Sequence, residues 1–327
     1  MLPRTLIVCD QVPWFIGLWQ EWTNGTILLY DKHEPVINDK EYDLMYVYAC
    51  DEKKLYFINE FKQTHPHTKV IAQSDGDFWW MTSPYEIVGN CIRQSMPINM
   101  PSRLTQALHA ADAVVCFNPY TYQYLKRYNL KAKQVATHAV YSTYTPEPKS
   151  YSERKRENKA LMMVHSISDR TSPNNIKLAK HFKMKAVILG TAGCTMEQLI
   201  GYHARQYDNI EVHETITNEK EYKDTINECL FTFDDAYYGA SRLTVESSMC
   251  GVPVFGGDGM FYLQQISPEL ILDTLNMPSC IDKVQYYDNE ERYTNLSNKI
   301  IEESKKWTDI EAAKKRWLRL ITQVVEN

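Results

Sequence analysis

Two successive α/β domains, each a parallel β-sheet with helices on both faces, are what this sequence predicts. Three observations carry the prediction. Short apolar runs alternate with amphipathic stretches, the strand-then-helix rhythm that builds parallel sheets. The rhythm breaks over 142–159, a polar stretch holding Pro146 and Pro148 and lacking periodicity, which has the composition of a domain boundary. The chain is 327 residues long, enough for two domains of ordinary size.

The apolar runs at 5–9, 26–30, 44–48, 69–73, 113–117 and 134–137 predict the first set of strands. Amphipathic stretches at 52–64 and 119–128 predict helices between them. After the break, strands are expected at 160–165, 185–189, 210–213, 229–233 and 252–255. Helices are expected near 173–182, 195–206, 218–227 and 243–250. Over 296–325, Trp307, Trp317, Leu320, Ile321 and Val324 recur among lysines and glutamates at helical spacing, and packing onto the protein body is the expected use of that face. The basic run Lys149, Arg154, Lys155, Arg156 and Lys159 reads as a solvated linker.

Composition narrows the function classes. An apolar content of 44% supports an ordinary globular core, and a net charge of -5 argues against a protein built mainly to coat nucleic acid. No apolar run approaches the roughly 20 residues that span a bilayer. The opening run Leu6–Cys9 is short and is stopped by Asp10, so it reads as a buried strand rather than a secretion signal. The eight cysteines are scattered, with no Cys-x-x-Cys pair. Buried free thiols in a reducing cytoplasm are expected, and neither a zinc site nor a disulfide framework.

The most informative stretch is 234–257, Asp-Asp-Ala-Tyr-Tyr-Gly-Ala-Ser-Arg-Leu-Thr-Val-Glu-Ser-Ser-Met-Cys-Gly-Val-Pro-Val-Phe-Gly-Gly. It reads as a polar loop, a helix start with Glu246 in its first turn, and a Gly-Val-Pro turn into a buried strand. Free N–H groups at a helix N-terminus attract anions such as a diphosphate. A carboxylate one turn in accepts hydrogen bonds from a ribose diol. The pair suits a nucleotide-sugar donor, with Ser241, Arg242, Leu243 and Thr244 as the phosphate-facing segment and Arg242 placed to neutralise a leaving diphosphate.

This stretch resembles the donor-site signature of GT-B glycosyltransferases, an acid-x7-acid pattern followed by a helix and Gly-x-Pro-Val. Glu246 falls on the second acid, and Tyr238 stands where the first is expected. The resemblance implies that Glu246 contacts the ribose. It leaves the sugar contact to Tyr238 or to the nearby Asp234 and Asp235. It also implies a GT-B fold, with two Rossmann-like domains, a cleft between them and a last helix crossing back to the first domain. The domains would be 1–145 for the acceptor, 160–300 for the donor, and 301–327 for the returning helix. Within the donor half the resemblance assigns the diphosphate to Arg170, with Lys177 as second candidate. It gives the small-residue turn at Gly190 to close ligand approach, and the base pocket to His213 and Thr215. In the first half it makes Asp112 structural.

Asp75 and Asp77 follow the expected strand 69–73, whose carboxyl end faces the ligand side of an open α/β sheet. A carboxylate there is a candidate acceptor of the proton from an acceptor hydroxyl, and Phe78, Trp79 and Trp80 are candidate stacking partners. They form the chain's only Asp-x-Asp. The resemblance implies that no metal is needed and no cofactor beyond the donor substrate. The aromatic stretch Trp14, Phe15 and Trp19 is either an acceptor grip or a packed helix start. The expected reaction is sugar transfer from a nucleoside diphosphate to a hydroxyl. One alternative puts the hydroxyl on hydroxymethylated bases of viral DNA, making nucleic acid the acceptor. The other is a GT-B protein that binds a nucleotide sugar, or serves as a scaffold, without turnover.

Overall fold

The computed structural model describes residues 2–10, 14–30, 42–48, 52–73, 85–88, 91–94, 108–116, 122, 125–128, 130–134, 144–164, 173–190, 207–213, 216–234, 242–257, 260–273 and 276–326. The chain divides into two units. The first comprises Met1–Pro84, Gln94–Ala139 and Ile310–Asn327, and the second Tyr85–Arg93 and Val140–Asp309.

In the first unit, β1 (Thr5–Cys9), α1 (Trp14–Thr23), β2 (Thr26–Leu29), β3 (Leu44–Val47), α2 (Glu52–Thr64) and β4 (Lys69–Gln73) come in that order. A two-stranded sheet, β5 (Tyr85–Val88) and β6 (Cys91–Gln94), comes next in the chain and belongs, but for Gln94, to the second unit; the first resumes with β7 (Ala113–Cys116) and β8 (Ala132–Gln134). The main sheet runs β2-β1-β3-β4-β7-β8, with every adjacent pair parallel. Alternate residues face opposite ways along a strand. Leu6, Val8, Met45, Val47, Val70, Ala72, Val114 and Cys116 accordingly pack on one face, against Phe57, Ile58 and Phe61 of α2. Ile7, Cys9, Leu44, Tyr46, Ile71, Ala113 and Val115 pack on the other. A sheet buried on both faces has uninterrupted apolar strands, which is why these runs are legible.

The main part of the second unit runs from α3 (Tyr151–Glu157) through β9 (Lys159–Val164), α4 (Pro173–His181), β10 (Lys185–Gly190), β11 (Ile210–His213), α5 (Glu219–Glu228), β12 (Phe231–Asp234), α6 (Arg242–Met249) and β13 (Val254–Gly256). Helices α7 (Phe261–Ile266), α8 (Met277–Tyr287) and α9 (Glu290–Thr308) complete it. The sheet runs β11-β10-β9-β12-β13, all parallel.

Two expectations are corrected here. The stretch 142–159 is not wholly an unstructured, solvated linker. Ser150 caps α3 by accepting from the Glu153 N–H, and the Glu153 carboxylate accepts from the Ser150 N–H. That capping box makes a short helix of a polar sequence. Arg154, placed among the solvated charges, is fully buried. The 296–325 stretch is two helices, because Asp309 turns extended at φ -74° and ψ 99°. Trp307 at the end of α9 packs edge-on to Phe261 and Tyr262 in the second unit. The last helix, α10 (Ile310–Val325), buries Ala313, Trp317, Leu320, Ile321 and Val324 on the first unit's sheet. The expected helix 195–206 lies outside the described residues, as does most of 119–128.

Candidate functional site

Strand order in the second unit reverses between β9 and β12: the chain builds outward through β10 and β11, then returns to the other side of β9. In open α/β sheets, ligands bind beyond the carboxyl ends of the strands at such a switch point. Here those ends are Val164 of β9 and the buried Asp234 of β12. Register sets Gly190 beside Val164, His213 beside Leu189, and Asp234 beside Gly256 at the same edge.

Helix α6 enters this edge with Arg242 as its first residue. Its next six residues, Leu243 to Ser248, are all buried. Leu243 joins a core with Leu161, Val187 and Val252, so its side chain is committed to packing. Thr244 is fully buried, and its Oγ1 has no hydrogen-bond partner among the described residues. Beyond the helix, Gly251 adopts φ +69°, and a Cβ there would stand 2.4 Å from Ser297 Oγ of α9. A left-handed glycine both ends the helix and lets α9 approach.

Glu246 lies one turn into α6, on the same face as Arg242, rather than in the first turn. Arg242 Nε donates to Glu246 Oε1 at 2.7 Å, and Tyr222 OH donates to Oε2 at 2.9 Å. Lys223 Nζ stands 4.0 Å from Oε1, with Lys223 and Glu246 both essentially inaccessible to solvent. A buried carboxylate requires such partners. Burial, together with the Glu246 charge, pushes the Tyr222 phenol well above its ordinary range, so Tyr222 remains a donor. Sequence reading missed Tyr222 and Lys223. The available signal was polar Lys223 and Asn227, at i and i+4, on the same stripe of α5 as the buried Ile226.

His213 reaches Glu211 Oε1 through Nε2 at 2.7 Å, and Lys185 Nζ lies 2.5 Å from Glu211 Oε2. The Lys185 ammonium, opposed by desolvation and helped by the His213 contact, holds the Glu211 carboxyl down to about 2 from an ordinary 4.5. A carboxyl depressed on folding stabilises the fold above its ordinary value and loses that contribution as pH falls toward the folded value. Glu211→Gln is therefore expected to lower the urea midpoint at pH 7, with the gap to wild type constant down to about pH 5 and closing as pH falls further. Midpoints measured for both proteins from pH 7 to pH 3 check this; a gap as wide at pH 3 as at pH 7 contradicts it.

At the first unit's carboxyl edge, Lys54, itself buried, donates to Asp10 at 2.5 Å, and Tyr46 OH donates to Gln73 Oε1. Trp19 is fully buried in α1 and stacks on Tyr46 at 4.0 Å, so it is a core residue. Asp112 accepts from the Val70 N–H and from Lys62, tying β4 to α2.

Of the candidate residues, the structure places Gly190, His213, Arg242, Leu243, Thr244 and Glu246 in the second unit and joins Arg242 directly to Glu246. Asp75, Asp77, Arg170, Tyr238 and Ser241 lie outside the described residues, as do Thr215, Asp235 and the Phe78–Trp80 aromatics. Among the described residues no group of three or more metal-ligating side chains is assembled, and no helix is long and apolar enough to cross a membrane.

Two parallel-sheet α/β units, with a last helix packed on the first, are the parts of the GT-B fold. Solved structures bear this out. Sucrose-phosphate synthase from Thermosynechococcus elongatus matches at a TM-score of 0.72 and 10% identity, over 99% of each chain. HepE from Anabaena, solved in complex with UDP-glucose, matches at 0.67 and 11% identity, over 98% of this chain and 99% of that one. The catalytic domain of starch synthase IV from Arabidopsis thaliana, bound to ADP and acarbose, matches at 0.60 and 9% identity, over 88% and 74%. No protein-family model matches the sequence, and no curated protein does.

Proposed function

We propose that this chain is a glycosyltransferase that moves a sugar from a nucleoside-diphosphate sugar to an acceptor hydroxyl, with the donor held by the second unit. The observation that carries the reading is the buried Glu246, one turn into the helix that starts at the sheet's switch point. Full-length likeness to a structure solved with UDP-glucose supports it. Another similar structure is bound to ADP, so the fold alone does not select a base.

In this reading Glu246 accepts from the ribose hydroxyls. The N–H groups of 241–244 and the Arg242 guanidinium face the diphosphate, together with Arg170. Gly190 lets the donor approach the backbone, His213 borders the base, and Tyr238 contacts the sugar. The acceptor oxygen bonds to the anomeric carbon, and the bond from that carbon to the diphosphate oxygen breaks. Its electron pair leaves with the nucleoside diphosphate, and the acceptor proton passes to Asp75 or Asp77. Helix N–H groups and arginine supply the positive charge, so the proposal includes no metal and no cofactor. A carbohydrate is the proposed acceptor, in keeping with the likeness to a structure bound to acarbose. A reducing cytoplasm fits the buried free thiols of Cys9, Cys116, Cys229, Cys250 and Cys280, those of Cys116 and Cys229 pushed by burial to about 12 and so inert.

The test is calorimetric titration of UDP, ADP, GDP and their glucose conjugates into wild type and Glu246→Gln. One nucleotide is expected to bind wild type, and its affinity to fall about 10- to 100-fold in the variant, the worth of hydrogen bonds to a charged acceptor. Binding of no nucleotide to wild type would overturn the reading.

A further inference from the structure

Among the described residues, the contacts of the Glu246 carboxylate are all internal. Oε2 takes the Tyr222 hydroxyl, and Oε1 takes Arg242 Nε with Lys223 beside it. The carboxylate is 2% exposed. Both oxygens keep spare lone pairs, but the carboxylate is covered, so a ribose diol reaches it only when a covering side chain moves aside. Lys223 is fully buried on α5, and its ammonium points at Glu246 and the Met249 sulfur. Tyr222 is fixed on the same helix and kept protonated. Arg242 differs: it is 44% exposed, on a long flexible stem, at the first residue of α6. That is also the end of the helix to which an anion is drawn.

We propose that Arg242 caps the ribose acceptor before a donor binds and that the diphosphate removes the cap. Resting on the donor reading above, this gives Arg242 a second role, in which it couples recognition of the phosphates to recognition of the ribose. Until the donor binds, Arg242 satisfies Glu246 Oε1. When a diphosphate arrives at the α6 N-terminus, the guanidinium turns from one anion to a stronger, doubly charged one. Oε1 is then open to the ribose hydroxyls, while Tyr222 and Lys223 hold the carboxylate in place. A nucleoside alone must displace Arg242 unaided and binds weakly. A nucleoside diphosphate supplies the replacement partner itself. The site thereby rejects free nucleosides by more than the phosphate contacts alone would give.

The experiment measures coupling. Uridine or adenosine, whichever matches the nucleotide that binds, is titrated into wild type with and without saturating inorganic pyrophosphate. Pyrophosphate is expected to tighten nucleoside binding about five-fold or more, the lower range of measured couplings between sites. In Arg242→Met the nucleoside is expected to bind at least about five-fold tighter than to wild type without pyrophosphate, the coupling is expected to vanish, and nucleoside-diphosphate affinity is expected to fall. Arg242→Ala, a second replacement at this exposed position, should behave alike, with thermal midpoints confirming that both fold. Two results would overturn the cap while leaving the donor reading standing. One is absence of coupling in wild type. The other is nucleoside affinity unchanged or weaker in both variants while the diphosphate still binds wild type. If no nucleoside diphosphate binds wild type, the donor reading falls and the cap with it.

Discussion

Trp317→Ala is expected to destabilise the first unit by about 3–5 kcal/mol, the usual cost of emptying a buried tryptophan site. Trp317 is fully buried, its ring edge-on to Trp19 at 4.6 Å and to Tyr46 at 6.1 Å, while Trp19 and Tyr46 stack at 4.0 Å. Ala313, Leu320, Ile321 and Val324 extend the same stripe of α10, so the indole is the centre of the contact between this helix and the sheet. Its removal forfeits the area of the largest side chain in that stripe and two aromatic contacts, and leaves a cavity that rigid strands cannot close. The cost should appear as a lower urea midpoint by tryptophan fluorescence. A loss under about 1 kcal/mol would mean that α10 is an appendage rather than part of the core.

Arg154→Met is expected to cost the second unit about 3–4 kcal/mol, and Arg154→Lys to recover little of it. All five guanidinium N–H donors are used. Nε donates to Asn227 O at 3.1 Å, one terminal nitrogen to Gly251 O at 2.8 Å and the Tyr293 hydroxyl at 2.7 Å, the other to Asn227 Oδ1 at 2.7 Å and Cys250 O at 2.5 Å. The carbonyls belong to the last turn of α5 and to the turn that ends α6, where helix dipoles present negative charge. The fully buried cation is thus held by carbonyls, an amide and a hydroxyl rather than a carboxylate. Methionine fills much of the volume but strands those acceptors, each costing about 1–3 kcal/mol when buried and unpaired, offset in part by relief of the buried charge. Lysine lacks the planar fork that reaches five acceptors at once. Since α6 carries Glu246 toward its other end, loosening this anchor is also expected to weaken nucleotide binding. Urea unfolding monitored by circular dichroism decides: a midpoint unchanged in Arg154→Met would show the network to be without weight.

The two predictions mark the border of what local sequence reveals. Strands such as 5–9, 44–48 and 113–117 were legible because a strand buried on both faces is a nearly continuous apolar run. The start of α6 and its Gly-Val-Pro exit were legible because caps and turns restrict residue type within a few positions. Even α3 had a local mark, Ser150 and Glu153, overlooked because the surrounding charges looked solvated. The fate of Arg154 had no comparable mark. A buried arginine and an exposed one have the same local sequence; what differs is Asn227, Cys250, Gly251 and Tyr293, between 73 and 139 positions away.

The sequence by itself determined the fold class, the alternation of elements, and Glu246 as the acid at the head of a helix leading into Gly-Val-Pro. Those depend on period, composition and turn chemistry, which act over a few residues. Only the tertiary structure decided the strand orders, the break that makes 296–325 two helices, and the company of Glu246. Tyr222 and Lys223 reach that carboxylate from another helix, 24 and 23 positions earlier. Which polar groups meet inside a protein is set by how packed elements cross, and a buried charge can be accounted for only when those crossings are known.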